Sequence, residues 1–413
     1  MRDYIILAIP VFFVLIALEL LWARWQERDY YRLNDSVNDL SCGVLSQLFE
    51  VFAKTAIFAG YLFLYERWRL LDVPGSALGW IACFVGVDFL YYWFHRASHE
   101  RNALWAAHIV HHSSEEYNLA VALRQGTLQG AFSWVFYLPL ALLGFPPVMF
   151  LACSSFNTLY QFWIHTRTIG KLGPLEWVMN TPSHHRVHHG CNPKYIDRNY
   201  AGVFIVWDRL FGSFLGEDEE PAFGITRPLR SWNPLWANLH YWAEMFDKAR
   251  RSSRWGDRLR VFAARPGWQP AELGGYQAPP EIDRASQRKF DPRVAAGLSF
   301  YALLQFIAVL VFASVLLFNQ DRWNGLPLAA GTTAIVWSLV GLGALLEGKR
   351  WAVVAEAARV AVLAACAAAL LAPGGRTAWA ALAVTLGVGC GGWLLWYRRA
   401  RTTTDTPEQV QTA

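Results

Sequence analysis

Histidines are the residues of this sequence whose spacing most directly indicates chemistry. Ten of the eleven lie between His95 and His189. His95 and His99 are four residues apart, and the pattern HxxHH occurs at 108–112 and again at 185–189. Spacings of three and four place side chains on one face of a helix. Imidazole nitrogens grouped in this way are typical of transition-metal sites, so the sequence predicts metal binding.

These three clusters contain eight histidines, enough for two metal ions with four imidazoles each. They are His95, His99, His108, His111, His112, His185, His188 and His189. A catalytic zinc site would need three ligands, an open position and a carboxylate base. A carboxylate-rich di-iron bundle would show Glu-x-x-His pairs, and none of the clusters has one. An all-histidine metal pair is therefore favoured, whereas the isolated His240 is interpreted as an ordinary polar residue.

The composition is that of a membrane protein. Hydrophobic residues make up 54% of the 413 residues and charged residues only 17%, against about a quarter charged in soluble proteins. The apolar residues form blocks of the ~20 residues that a helix needs to cross a bilayer. The candidate spans are residues 4–22, 45–65, 76–94, 127–144, 147–165, 295–317, 326–346, 351–371 and 377–397. The net charge is +5. In a membrane protein such an excess of Lys and Arg sets the orientation of the spans, so it does not indicate nucleic-acid binding.

The spans 127–144 and 147–165 are short and meet at Gly144-Phe-Pro-Pro147, so they form either a complete hairpin or a re-entrant one. Alternate loops differ in their content of basic residues, and the richer set belongs in the cytoplasm. This places the N-terminus outside and the C-terminus inside. All the histidine clusters then lie at the cytoplasmic face, as one shared site requires.

We therefore predict an all-α integral membrane protein, a multi-span helical bundle of about nine spans with a cytoplasmic helical cap that holds the histidine-rich di-metal site. Its predicted parts are membrane helices at 1–75, a catalytic core with the cap at 76–293, membrane helices at 294–400 and a disordered tail at 401–413. The six cysteines lie far apart without a CxxC pair, which favours buried, reduced thiols over disulfides or metal ligands.

The motifs HxxxH, HxxHH and HxxHH at the ends of membrane spans resemble the fatty acid hydroxylase and sterol desaturase superfamily. Longer segments at 105–126, 161–167, 173–203 and 207–215 are similar to the branch of that superfamily that cleaves ether lipids. The similarity covers most of the chain and continues through Pro266–Pro270 into the later helices. The resemblance implies a di-iron centre at the cytoplasmic face that oxidises lipids with O2.

The resemblance also implies roles for individual residues. The eight clustered histidines would be the metal ligands, His165 a ninth ligand or the partner of one, and His184 a substitute for a neighbouring ligand. Glu100 matches an acidic position of the ether-lipid enzymes, where it would ligate, relay protons or orient an imidazole, unless it is a solvated carboxylate. Asp88 lies two helical turns before His95. A buried carboxylate in a span needs a partner, so we expect it to bond a ligand histidine.

The implied reaction is hydroxylation of the carbon next to the ether oxygen of an alkylglycerol lipid, which yields a fatty aldehyde and a glycerol derivative. O2 is one substrate. The sequence has no flavin or NAD fingerprint and no fused cytochrome segment, so the electrons come from an external reductant, and the resemblance implies tetrahydrobiopterin. The enzyme would lie in the inner membrane of a bacterium or in the endoplasmic reticulum of a eukaryote.

Two other interpretations stay open. The same scaffold serves sterol, fatty-acyl and carotenoid hydroxylation or desaturation, and only the substrate distinguishes these reactions from cleavage of an ether lipid. A metal transporter would instead hold its site near the middle of the membrane, with a path across it. The predicted topology places these histidines at one face, which disfavours a transporter.

Overall fold

A computed structural model provides the fold. The residues that it describes are 4–282, 284–285, 287–319, 325–371 and 377–404. They form two compact units, Met1–Phe290 and Asp291–Ala413. Apart from two isolated β-bridges, the regular structure of the described residues is helical, so the prediction of an all-α fold is confirmed. The six cysteines are all free, as their spacing predicts, and four of them are buried. The prediction of burial is wrong for Cys366, which is exposed, and for Cys390, which is half-buried.

The first unit contains ten α-helices within the described residues. In chain order they are α1 (Tyr4–Trp25), α2 (Leu33–Trp68), α3 (Ala77–Glu100), α4 (Asn102–His112), α5 (Gln129–Leu142), α6 (Pro147–Trp163), α7 (Pro182–His188), α8 (Val206–Leu210), α9 (Pro234–Arg251) and α10 (Trp255–Ala263). Short 3-10 helices lie at Val121–Leu123, Gly173–Trp177 and Ala271–Leu273. Six of the eleven histidines lie on the short helices α4 and α7.

Four helices of the described residues are long and apolar enough to cross a membrane. They are α1 over Leu7–Trp25, α3, and Ala296–Phe318 and Gly325–Leu346 of the second unit. Helix α2 adds a fifth if its parts Leu33–Ala53 and Ile57–Trp68, bent by 45°, form one span. The described helices do not reach the predicted count of about nine. Helices α5 and α6 have only 14 and 17 residues, fewer than the ~20 that a bilayer requires.

Helix α3 is the centre of the first unit, where it packs against α4, α5 and α6. The side-chain oxygen of Ser76 accepts a hydrogen bond from the N–H of Gly79 at 3.2 Å, which satisfies one of the free amides at the start of the helix. Apolar side chains from α2, α3, α5 and α6 form the core beside it. Because the last turns of α3 carry His95 and His99, this core positions the first histidine pair.

The turn between α5 and α6 requires a glycine. Gly144 has φ +89°, a left-handed conformation that residues with a Cβ rarely adopt. A Cβ at this position would lie 1.7 Å from the carbonyl oxygen of Leu71. Val73 donates its N–H to the Gly144 carbonyl oxygen at 3.3 Å. The turn is thereby held against the segment that leads into α3.

Replacing Gly144 with alanine is expected to lower the free energy of unfolding by at least ~1–3 kcal/mol, the cost of the strained backbone, because the collision with Leu71 adds to it. The same change at Gly130 of α5 is the control, since no atom lies within 4 Å of the new Cβ there and alanine favours a helix. Thermal unfolding of both purified variants measures the difference. Equal stability of the two would contradict the requirement for glycine at the turn.

The second unit is a bundle in which each helix packs against the next. Its helices are α11 (Ala296–Phe318), α12 (Gly325–Leu346), α13 (Ala352–Leu371) and α14 (Thr377–Thr404). The predicted spans 351–371 and 377–397 coincide with α13 and α14. Within both helices, some side chains lie outside the described residues. Of the predicted tail, residues 401–404 continue α14, and 405–413 lie outside the described residues.

A paired polar cluster lies inside this apolar bundle. Glu356 and Arg359, one turn apart on α13, are both buried and form an ion pair at 2.5 Å. Arg359 also donates to Ser338 of α12 at 2.9 Å and to Gln305 of α11 at 2.8 Å, and Tyr301 donates to Glu356 at 2.9 Å. Charges among apolar helices require such partners. The cluster therefore holds three helices of the bundle in register.

Candidate metal centre

The structure gathers nine histidines into two groups. The first group is His95, His99, His108, His112 and His188, and the second is His111, His165, His185 and His189. Within each group, one nitrogen of every ring lies within 4.8 Å of a nitrogen of every other ring. All nine residues are buried. Each group has the donor set of a site for one transition-metal ion.

The two groups are adjacent. His111 and His112 are neighbours on α4, and His188 and His189 follow one another at the end of α7, so both elements contribute to both groups. The rings of His112 and His189 are stacked with their centroids 4.4 Å apart. Two ions held by the groups would therefore be close neighbours, as a metal pair requires.

Four elements supply these rings. The end of α3 supplies two, α4 supplies three, the segment after α6 supplies one, and α7 with the residue after it supplies three. Arg101 alone separates α3 from α4 and has an extended backbone conformation, so the chain turns sharply there. Asn102 holds this corner, because its side chain donates to the carbonyl oxygen of Val261 at 2.8 Å and its N–H to that of Ala264 at 2.9 Å.

Five of the nine rings are held by a hydrogen bond from Nδ1 to a carbonyl or amide oxygen. These bonds join His95 to Tyr200 O (2.7 Å), His108 to Gln129 Oε1 (2.8 Å), His111 to Arg124 O (2.8 Å), His165 to Gln161 O (2.7 Å) and His188 to Arg198 O (2.9 Å). Such an oxygen only accepts, so Nδ1 carries the hydrogen and Nε2 carries the lone pair. Metal-binding histidines in proteins are oriented in the same way.

The Nε2 atoms of the two groups lack partners that suit a lone pair. Three of them are buried without a hydrogen-bond partner, in His99, His188 and His189. In the first group the Nε2 atoms of His95 and His108 lie 3.0 Å apart, and in the second those of His111 and His165 lie 3.2 Å apart. Because all four of these rings carry their hydrogen on Nδ1, the facing lone pairs repel. A cation in each group removes this repulsion, so the residues fit the predicted ions.

Burial and neighbouring rings keep the imidazoles of His108 and His189 neutral. Burial, together with the nearby His99, lowers the pKa of His108 to about 3. Burial, together with His111 and His185, holds the pKa of His189 well below its usual value. A metal binds the neutral imidazole and competes with protons for its lone pair. The environment thus keeps these nitrogens available to a metal at neutral pH.

His165 lies inside the second group. Its Nε2 is 3.0 Å from that of His185 and 3.2 Å from that of His111. Its Nδ1 is already bonded to the carbonyl oxygen of Gln161. Of the two roles that the sequence left open, this geometry favours a ligand over a partner that acts through another ring.

His184 lies outside both groups. Its ring contacts that of Phe214 at 5.4 Å, and its Nε2 is 4.0 Å from a carboxylate oxygen of Glu176. It lines a separate cavity of about 150 Å³ that also borders Lys171. The expectation that His184 replaces a ligand is corrected, because one step along α7 rotates a side chain by ~100° from that of His185.

Comparison with known proteins identifies the family. Residues 80–213, which contain all nine grouped histidines, match the fatty acid hydroxylase family. The chain is 43% identical to the alkylglycerol monooxygenase of Xenopus tropicalis over 309 residues, which cover 74% of this chain and 68% of the relative. The chain belongs to the alkylglycerol monooxygenase family. The family predicted from the histidine motifs and the longer similar segments is confirmed.

The similarity to alkylglycerol monooxygenases extends well beyond the histidine-bearing segment. The human enzyme is 39% identical over 362 residues, 86% of this chain and 81% of its own length. That of Danio rerio is 39% identical over 349 residues, 83% of this chain and 78% of its own length. No solved structure matches the chain significantly. As a member of this family, the chain is an oxidoreductase that hydroxylates lipids, and its apolar helices are those of a membrane protein.

In this member of the alkylglycerol monooxygenase family, Glu100 belongs to neither histidine group. Its carboxylate pairs with Arg96, one turn earlier on α3, at 3.1 Å and with Arg265 at 3.4 Å. These contacts join the end of α3 to the segment after α10. The roles of ligand and imidazole partner are therefore corrected. The ion pairs at the end of the helix agree with the alternative of a surface carboxylate.

Asp88 also differs from its expected role. Its two oxygens accept hydrogen bonds from four donors, none of which is a histidine. The donors are Val203 N (2.7 Å), Phe204 N (3.0 Å), Asn157 Nδ2 (2.7 Å) and Trp207 Nε1 (2.9 Å). The sequence showed that a buried carboxylate needs partners, but it did not show which segment would supply them. Asp88 holds the end of the loop between α7 and α8, residues 189–205. This loop supports the histidines, because the carbonyl oxygens of Arg198 and Tyr200 bond to His188 and His95.

Asp208 is a second buried carboxylate that the sequence did not single out. It accepts from the N–H groups of Tyr200 and Ala201, both at 2.8 Å, and from the hydroxyl of Ser213 at 2.7 Å. The carbonyl oxygen of the same Tyr200 holds His95. Asp208 and Asp88 thus accept hydrogen bonds from adjacent parts of one loop, residues 200–201 and 203–204. The sequence offered one weak signal, an acidic residue close to the bulky apolar residues Trp207, Leu210 and Phe211.

The loop that supports the histidines has an unusual backbone conformation. Asp197 and Asn199 have positive φ values of 61° and 54°, which aspartate and asparagine tolerate better than most residues. The side chain of Asn199 donates to the carbonyl oxygen of His184 at 3.1 Å and accepts from the N–H of Leu215 at 2.8 Å. These bonds fix the strained residues so that the carbonyl oxygen of Arg198 between them can hold His188.

Arg124 is a further residue that the sequence did not identify as part of the site. Its carbonyl oxygen holds His111, and its guanidinium is fully buried, where it pairs with Asp39 at 3.0 Å and donates to the carbonyl oxygen of Val110 at 2.6 Å. A buried guanidinium is stable only with such partners. Arg124 therefore fastens the segment after α4 to α2 and to the helix that carries three of the rings.

The stability of the loop is expected to depend on pH through Asp208. Burial raises the pKa of Asp208 to about 6, although three hydrogen bonds favour the ionised form. A carboxyl with a raised pKa holds its proton more tightly in the folded chain, so the folded state loses stability as pH rises from about 4 towards 6. The variant Asp208→Asn should remove this decline, on the order of 1–3 kcal/mol. Thermal unfolding of both proteins across that pH range tests it, and parallel profiles would contradict the assignment.

Proposed function

We propose that the chain is a di-iron, O2-dependent monooxygenase that hydroxylates the carbon next to the ether oxygen of alkylglycerol lipids. The observation that carries the proposal is the pair of adjacent, buried histidine groups, one with five rings and one with four. The substrate class is supported by the relatives, which are named alkylglycerol monooxygenases and match the chain over 74–86% of its length.

Within this proposal, the first group would hold one ion and the second group the other. Histidine nitrogens are suitable ligands for iron, as for several other transition metals. When bound, the iron pair would supply the oxygen activation and one-electron steps that side chains cannot perform. The chain itself holds the Nε2 lone pairs in place through the carbonyl and amide oxygens bonded to Nδ1.

The overall reaction balances with one external two-electron reductant. One atom of O2 enters the C–H bond next to the ether oxygen as a hydroxyl group. The other atom leaves as water, with two electrons from the reductant and two protons. The hemiacetal product then loses its C–O bond to the glycerol oxygen, which takes the hydroxyl proton, and a fatty aldehyde and a glycerol derivative separate. Tetrahydrobiopterin is the reductant that the family resemblance implies.

The chain's own residues would also exclude water and place the lipid. All nine rings are buried, and aromatic side chains lie beside them. The ring centroids of Trp105 and His99 are 5.0 Å apart, and those of Tyr117 and His189 are 5.2 Å apart. Helix α3 is long and apolar enough to span the membrane and carries His95 at its end. A lipid with its tail among such helices would bring its ether group to the rings. The richer basic loops favour the cytoplasmic face for this site.

The proposal is tested with the purified full chain in lipid nanodiscs. Elemental analysis should find two iron ions per chain. Alkylglycerol with reduced pterin and ¹⁸O2 should yield fatty aldehyde that carries one labelled oxygen atom, with the second labelled atom in water. Omitting the reductant should stop turnover. Turnover of a sterol or an acyl lipid without any aldehyde from alkylglycerol would overturn the ether substrate. Metal transport into liposomes without oxygen consumption on any lipid would overturn the enzyme mechanism.

A further inference from the structure

Helices α9 and α10 carry exposed apolar side chains on one side. On α9, Trp236, Leu239 and Phe246 are 44%, 52% and 60% exposed, and their spacings of three and seven place them on one face. On α10, Trp255 and Leu259 are 75% and 72% exposed and four residues apart. We call these five side chains the α9–α10 apolar surface.

The opposite faces of both helices belong to the core, which fixes the outward direction of this surface. Ala237 and Met245 of α9 and Val261 of α10 are buried, and α9 and α10 both pack against α4. The two helices also pack against each other, and the rings of Phe246 and Phe262 are 5.3 Å apart. The apolar stripes are therefore neighbouring parts of one surface.

Basic residues accompany the α9–α10 apolar surface. Residues 234–263 contain six basic and three acidic side chains, a net charge of +3. The basic residues cluster where α9 ends and α10 begins, at Lys248, Arg250, Arg251, Arg254, Arg258 and Arg260. Helices with an apolar face and arginines at its edge are typical of the interface of anionic membranes. The charge thus complements lipid phosphates.

Contacts with α5 put α9 beside the first residues of an apolar helix. Helix α5 is strongly apolar, and near its start the ring of Phe132 stacks on Trp242 of α9 at 6.1 Å. Just before α5, the N–H of Thr127 donates to the side chain of Asn238 on α9 at 2.9 Å. Helix α9 therefore lies beside the point where an apolar helix begins.

We propose that α9 and α10 lie in the membrane–water interface, with the α9–α10 apolar surface among the acyl chains and the arginines on anionic lipid phosphates. This contact fastens α4, which carries three of the grouped histidines, to the bilayer surface from which a lipid substrate enters. The inference concerns a lipid surface and holds whether or not the two groups bind iron.

The test uses environment-sensitive labels on the full chain in nanodiscs of phosphatidylcholine with phosphatidylglycerol. Cys366 and Cys390, the two cysteines that are not buried, are first changed to serine. Bimane is then attached to Leu239→Cys or Leu259→Cys. Glu219→Cys is the matched control, because Glu219 is exposed in the acidic run, where its carboxylate contacts Asn192 and Lys194 and no residue of α9 or α10. Thermal unfolding confirms that each labelled variant is folded.

Nitroxide carried on a phospholipid should quench the labels on Leu239→Cys and Leu259→Cys several-fold more than the control label, and aqueous iodide should quench them several-fold less. The variant Arg254→Glu should reduce the lipid quenching in anionic nanodiscs. Iodide quenching equal to that of the control would overturn the proposal. Cross-linking of Leu239→Cys chains into dimers, with no lipid quenching, would also overturn it and assign the surface to a second copy of the chain.

Discussion

Replacing His188 with alanine is expected to remove bound metal and to abolish lipid oxidation. His188 belongs to the first group, its Nδ1 donates to the carbonyl oxygen of Arg198 at 2.9 Å, and its Nε2 is buried without a hydrogen-bond partner. Its ring lies 4.4 Å from that of His95 and 4.8 Å from that of His112. Loss of residues that merely orient a ligand costs ~10–100-fold in metal affinity, so loss of a ligand should cost at least ~100-fold.

The matched control for this prediction is His184→Ala. His184 is also buried and lies one turn earlier on the same helix, α7, but outside both groups. This variant should keep its metal content and activity, apart from a modest loss of stability from the new cavity. Elemental analysis and the aldehyde assay are applied to both variants. Full metal and activity in His188→Ala, or equal losses in both variants, would contradict the assignment of His188 as a ligand.

Replacing Asp88 with alanine is expected to destabilise the first unit and, as a consequence, to weaken metal binding. Two buried and two half-buried donors would lose their acceptor. Each unsatisfied buried donor costs ~1–3 kcal/mol without full additivity, so we expect a total on the order of 3–5 kcal/mol. The released chain at Val203 and Phe204 is continuous with Tyr200, whose carbonyl oxygen holds His95. Metal content should therefore fall although Asp88 contacts no histidine.

Two further variants separate this effect from a general loss of charge. Asp88→Asn keeps one acceptor oxygen and should fall between the alanine variant and the natural chain. Asp72→Ala removes an exposed carboxylate whose partner is Arg69, and exposed pairs contribute only ~0–1 kcal/mol. Denaturant unfolding and elemental analysis of the three variants measure both effects. Stability of Asp88→Ala equal to that of Asp72→Ala would contradict the role of Asp88.

Much of the fold class could be predicted because it depends on local patterns. Apolar blocks such as those of α1, α3, α11 and α12 are recognisable as helices of spanning length. The shorter α5 and α6 were harder to interpret, since an apolar run does not show where its helix begins. The turn at Gly144 leaves 14 and 17 residues on its two sides, and this division decides their length.

The sequence itself determined the histidines and their spacings of three and four residues, because helical periodicity decides which side chains share a face. The division into groups of five and four was decided only by the tertiary structure, since it depends on how four separate elements meet. That packing brings His165 into the second group and leaves His184 outside both. It also decides that the partners of Asp88 are two backbone amides, the Asn157 side chain and the Trp207 indole rather than an imidazole. Spacing along one helix contains no information about a segment more than a hundred residues away.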